Sequence, residues 1–93
     1  MNSQNKKTVM DQKIFNMGLS LEAVSVYMLC CSLADSDTTI STKNLLEIWT
    51  STTEALTEGL KDLEKRNIVL RVISDRKENN IYKLTDANKW ELD

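Results

Sequence analysis

Apolar residues recur along this chain with two different periods, and the change from one to the other sets out the architecture. Ala55, Leu56, Gly59, Leu60 and Leu63 share one helical face, which predicts a helix from about Thr52 to Arg66. Ser51-Thr52-Thr53-Glu54 ahead of it reads as a capping box. In that arrangement the Ser51 hydroxyl accepts from the Glu54 backbone N–H, and the Glu54 carboxylate reaches back to the N–H of Ser51. Asn67 is placed to close the helix in a left-handed C-cap. Ile68 to Ser74 is then a strand with apolar residues on both faces. Asp75 to Asn80 is a charged loop, and Ile81 to Thr85 alternates as the return strand. Gly59 sits on the apolar face, where a missing side chain predicts close approach of another helix. In a helix interior it costs about 1 kcal/mol against Ala.

Upstream, Leu45, Leu46, Ile48 and Trp49 give a shorter helix its buried face, with Ser41 or Thr42 as the cap and Thr50-Ser51 as the following turn. Trp49 reads as a core or interface residue. Thr39-Ile40-Ser41 fits a short edge strand that pairs with the later hairpin, and 35–39 fits a solvated turn. Before that turn, Ser20 caps a helix that runs to about Ala34, with Glu22 favourably placed in its first turn. Apolar residues surround nearly its whole circumference, and only Ser25 and Ser32 mark a polar strip. Val9 to Met17 is a short amphipathic piece, helical or extended, ended by Gly18. Asp86 can cap a last turn through Ala87, Lys89 and Trp90, and Trp90 and Leu92 are predicted to pack on the N-terminal segment or a partner chain. A helix, a turn, a longer helix and a β-hairpin make an α+β winged helix-turn-helix: a three-helix core with a two- or three-stranded wing. It occupies 9–93 as one domain behind a disordered polar arm over 1–8. The abrupt end after Asp93 fits the N-terminal domain of a longer protein.

Composition narrows the function. The net charge is −2, with 12 Lys and Arg spread along the 93 residues. That lacks the strong basic bias of domains that bind nucleic acid by charge alone. No run is long and apolar enough to span a membrane, and no apolar stretch follows the polar start, so a cytoplasmic protein is expected. The adjacent Cys30 and Cys31 point about 100° apart in a helix and read as small buried hydrophobes. With no His, no Gly-rich phosphate loop and no metal-ligand spacing, neither cofactor nor metal is expected. Glu54 and Glu58, one turn apart, read as a solvated pair rather than acid–base groups, so an enzyme is not expected.

In a DNA-binding helix-turn-helix the first half of the second helix enters the major groove. Here that half carries Thr52, Thr53, Glu54, Thr57 and Glu58, and the helix contains no Arg, Gln or Asn until Arg66, near its end. The usual side chains for reading guanine and adenine are therefore missing. The candidate DNA contacts are Thr52, Thr53, Thr57, Lys61 and Lys43, with Arg76 and Lys77 at the wing tip between Asp75 and Glu78. The candidate oligomer interface, centred on the all-apolar helix and the chain ends, is Ile14, Phe15, Val26, Cys30, Leu33, Trp90 and Leu92.

Lys13-Ile14-Phe15-Asn16-Met17-Gly18-Leu19-Ser20 with the apolar helix behind it resembles the opening of the winged-helix domain of DnaD-like replication-initiation proteins of Gram-positive bacteria, phages and plasmids. The stretches 42–46, 60–68 and 80–84 are similar to that domain's helix-turn-helix and wing strand. The resemblance implies an oligomerisation scaffold, with much of the DNA affinity in a separate C-terminal domain. Two functions are thus expected. One is a DNA-associated protein of replication or transcription control, acting as a homodimer on double-stranded DNA. The other is a protein–protein or oligomerisation module, with a replication protein as possible partner, that reads no DNA sequence.

Overall fold

A computed structural model of the chain describes residues 10–73 and 79–91. It is α+β, with α1 Leu21–Asp35, β1 Ile40–Ser41, α2 Thr42–Ile48, α3 Thr53–Lys65, β2 Val69–Ile73 and β3 Ile81–Leu84. Short 3-10 helices lie at Gln12–Asn16 and Ala87–Lys89. This order and the three-stranded antiparallel sheet are compatible with a winged-helix layout. The expected arm, the wing-tip residues Arg76 and Lys77, and Leu92 lie outside the described residues.

Both long helices start on a side-chain cap and stop on a left-handed residue. The Ser20 hydroxyl accepts from Ala23 N at 3.1 Å, as the sequence predicts. The cap of α3 differs from the expected box: it is Thr52, whose hydroxyl accepts from Ala55 N at 3.1 Å. The helix is set one residue later because the Thr52 carbonyl accepts both the first helical bond from Leu56 and the Trp49 indole N–H, at 3.2 and 2.8 Å. Glu54 thereby falls one position short of the place from which a box glutamate reaches back. At the other end, Asn67 has φ 63°. Ile68 N donates to Leu63 O and Asn67 N to Glu64 O, which satisfies two of the last helical carbonyls. α1 ends the same way: Asp37 has φ 58°, and Thr38 N donates to Leu33 O at 2.8 Å.

The core lies between α1 and α3. Gly59 is the contact point: a Cβ there would stand 2.8 Å from Val26 Cγ2 and 3.3 Å from the Glu22 carbonyl oxygen. Only glycine permits that approach with Val26 where it stands, so the interior glycine of α3 serves packing. Beneath the helices, the strand order is β1-β3-β2. Ile40 pairs with Tyr82, and Val69, Leu70 and Arg71 pair with Leu84, Lys83 and Tyr82. The register shifts between Arg71 and Ile73, so the strand is irregular at Val72.

The chain ends close the underside. Trp90 meets Tyr27 edge-on at 5.6 Å, and the Tyr27 hydroxyl accepts from Asp11 N at 2.9 Å. Trp90 Nε1 donates to Thr85 Oγ1, which in turn donates to Asn67 O at 2.6 Å. Lys13 Nζ donates to Ala87 O at 3.0 Å and lies over the Trp90 ring. Arg66 Nη1 donates to Met17 O, Glu91 N donates to Arg66 O, and Asn67 Nδ2 donates to Lys89 O.

This closure corrects most of the expected oligomer interface. Ile14, Val26, Cys30, Leu33 and Trp90 are buried in the core of the single chain. α3, the N-terminal 3-10 helix and the C-terminal strap together cover more of α1 than a domain of this size suggests. Of the expected set, Phe15 alone among the described residues stays exposed.

Candidate nucleic-acid interface

The start of α2 is fastened to the return leg of the hairpin. Ser41 caps the helix by accepting from Asn44 N at 3.0 Å. Thr42 N donates to Asn80 O, Asn80 N donates to Thr42 Oγ1, and Lys43 N donates to Asn79 Oδ1 at 2.9 Å. These bonds fix the angle between the hairpin and the helix pair. They leave a concave groove of about 480 Å³ between α2, α3 and the sheet. Its lining includes Thr42, Leu46, Thr53, Thr57, Lys61, Glu64, Arg71 and Asn80.

Three of the expected DNA contacts, Thr53, Thr57 and Lys61, come together on this one wall because they lie one turn apart on α3. Thr52 does not line the groove, and its hydroxyl oxygen is occupied as the helix cap. The Thr57 hydroxyl donates back to Thr53 O at 3.0 Å, which leaves its oxygen as an acceptor only. Lys43 is exposed at the start of α2 but outside the groove lining.

Arg71 is the residue that sequence reasoning did not place. Its guanidinium grips Glu64 in a fork, Nε to Oε2 at 3.1 Å and Nη2 to Oε1 at 2.9 Å. The neighbouring carboxylate raises its pKa further above the ordinary arginine value, so Arg71 stays charged. One signal pointed to it: strand alternation from the buried Val69 puts Arg71 on the face turned toward α3. Its partner could not be read from spacing, because Glu64 belongs to a helix and Arg71 to a strand.

The groove's field is modest. Glu64 neutralises Arg71, and Lys61 is the remaining charged residue of the groove lining. On the outermost side of α3, Glu54, Glu58, Lys61 and Lys65 are all exposed and balance in sign. Such a surface can rest against a phosphate backbone through hydroxyls, Asn80 and Lys61. It lacks the bidentate donors that distinguish bases.

Burial pushes the Cys30 thiol up to about 12 and the Cys31 thiol to about 11, so neither is a ready nucleophile. Both are free and buried, in line with their reading as small hydrophobes. Among the described residues, no group of three His, Cys, Asp or Glu is placed to hold a metal, and no helix is long and apolar enough to cross a membrane. Comparison with family models, with curated proteins and with solved structures finds no match to the chain.

Proposed function

We propose that this chain is a winged-helix DNA-associated protein of replication or transcription control that acts as a homodimer. The observation that carries the reading is the groove itself. Two side chains of α3, Thr53 and Lys61, share it with Asn80 of the hairpin, which is bonded to the start of α2. A helix face and a hairpin held at a fixed angle are the parts with which such folds straddle a duplex. The balanced charge of α3 points to backbone association rather than base reading. The DnaD-like pattern of the sequence supports replication over other settings.

The test is a titration against duplex DNA of mixed sequence at several salt concentrations. Binding at about 50 mM salt that weakens steeply by 200 mM is expected for a few phosphate contacts. No binding at the lower salt removes the DNA reading. A second reading, a protein–protein module that reads no DNA, is favoured by the exposed Leu46 of the groove lining and the exposed Ile48 at the end of the same helix. Apolar side chains there suit a protein surface better than a phosphate backbone.

A further inference from the structure

We infer that the outward face of α1 is where two copies of this chain pair, α1 against α1 and antiparallel. This deepens the homodimer of the reading above and is independent of its DNA part.

The argument begins with an anomaly of charge. The side of a helix turned to water normally carries charged residues. From Ala23 to Ala34 α1 has none, on any side. Its outward stripe is Leu21, Ser25, Met28 and Ser32. At 100° per residue these four fall within an arc of about 60°. They lie opposite the buried Ala23, Val26, Tyr27 and Cys30. Leu21 is 78% exposed and Met28 45% exposed, the two large side chains of the stripe and both uncovered. One exposed leucine means little. A whole uncharged stripe with its large residues in the open is a surface without its cover.

The occupant follows from the order of sizes. The four residues are spaced four, three and four apart, the spacing of a two-helix seam. They alternate large, small, large, small. In an antiparallel pair Leu21 faces the partner's Ser32, and Met28 faces the partner's Ser25. Each large side chain then enters a gap left by a serine, and the pattern is its own complement. A parallel pair in register sets Leu21 on the partner's Leu21 and serine on serine, which leaves a void at each serine level. Charge agrees with the antiparallel choice. Asp35, the first charged residue beyond the stripe, comes to lie beside the amino end of the partner's α1, where the helix dipole favours an anion.

The contact is short. α1 has 15 residues, a length of about 22 Å, which places the interface at the small end of specific ones. The pair is therefore in equilibrium with single chains, and its population depends on concentration.

The experiment combines sedimentation equilibrium with engineered cross-links on the full chain. Between about 5 and 500 µM the weight-average mass is expected to rise from one chain toward two. The double variant L21C/S32C is expected to form covalent dimers on mild oxidation, because the two new thiols meet only across the pair. L21C alone is expected to stay monomeric on a non-reducing gel. Met28→Glu should weaken pairing at least about tenfold, with an unchanged circular dichroism spectrum because the site is exposed. A single-chain mass at every concentration overturns both the pairing and the homodimer. A dimer that Met28→Glu leaves intact, or that L21C cross-links as fast as the double variant, overturns this interface and register while the homodimer stands. Neither outcome bears on the DNA titration.

Discussion

α1 and α3 pack on one another at Gly59, yet they turn opposite kinds of surface outward. α3 buries Leu56, Gly59, Leu60 and Leu63 and shows Thr53, Glu54, Thr57, Glu58, Lys61 and Lys65 to solvent. It is amphipathic in the ordinary sense and needs no further cover. α1 buries Ala23, Val26, Tyr27, Cys30, Cys31 and Leu33, and between its charged end residues Glu22 and Asp35 its outward side carries Met28 and two serines, with Leu21 at its start. The buried faces look alike because one core demands the same of both helices. The outer faces answer to whatever lies beyond the chain. α3 is fit to meet water and a polar partner, and α1 is fit to meet an apolar one.

The comparison breaks entirely if the shared core is opened. Leu63 of α3 is fully buried in that core. Leu63→Ala is expected to lower stability by about 2–5 kcal/mol, read by denaturant unfolding, and to abolish groove and stripe together. Next in size is the contact point. Gly59→Ala should destabilise by about 1–3 kcal/mol as the new methyl meets Val26 Cγ2. The sharper measurement is the double variant with Val26→Ala. The added methyl there fills space that the valine vacates, so the two changes should fall short of additivity by about 1 kcal/mol or more.

The thiols inside α1 supply a pH test of its buried side. Burial raises Cys30 and Cys31 above the ordinary thiol range, to about 12 and about 11. It raises the Tyr27 hydroxyl as well. Raised acids ionise more readily in the unfolded chain. Their contribution to stability is thus full below about pH 8 and is lost as pH climbs from about 9 toward 12. Thermal unfolding should show that decline, and Cys30→Ala should flatten it while lowering the neutral-pH baseline. A flat profile for the natural chain would place the thiols in solvent.

The smallest effects belong to the outer face of α3. Lys61→Ala should reduce the slope of log affinity for DNA against log salt by about 0.9, the share of one phosphate contact. Glu64→Gln should do the reverse. With its carboxylate gone, Arg71 is free to meet a phosphate, and affinity should rise several-fold at low salt. If both variants bind as the natural chain does, α3 is not the surface that meets DNA. Sedimentation should find the same pairing in either variant, because neither residue lies on α1.

Much of this was legible in local sequence. Ser20, Asn67 and the turn before Ile40 act on residues three to five positions away, and their effects appear where the residue types predict them. The start of α3 was misread by one residue because two hydroxyls, Ser51 and Thr52, can both cap. The Trp49 indole on the Thr52 carbonyl favours the second. Long-range closure was the harder part. Trp90 against Tyr27 and Lys13 against Ala87 join residues more than sixty positions apart, and periodicity carries no sign of such pairs. They bury Ile14 and Trp90, and the α1–α3 contact buries Val26, so the expected interface lost most of its members. The free side of α1 was nevertheless marked, since Ser25 and Ser32 alone interrupt its apolar circumference on one side. The ion pair of Glu64 and Arg71 had no such mark.

The strap from Thr85 to Glu91 is joined to the rest by hydrogen bonds at Thr85, Ala87, Lys89 and Glu91 and by the buried Trp90, edge-on to Tyr27. Closing Lys13 onto Ala87 encircles most of the chain, so these bonds form only after the helices and the hairpin have come together. The strap is then the last part to dock in folding and the first to open under native conditions. Trp90 moves from the edge of Tyr27 into water when it opens. Its fluorescence therefore reports this partial unfolding separately from Trp49, which rides on the α2–α3 turn and changes only when the whole core is lost.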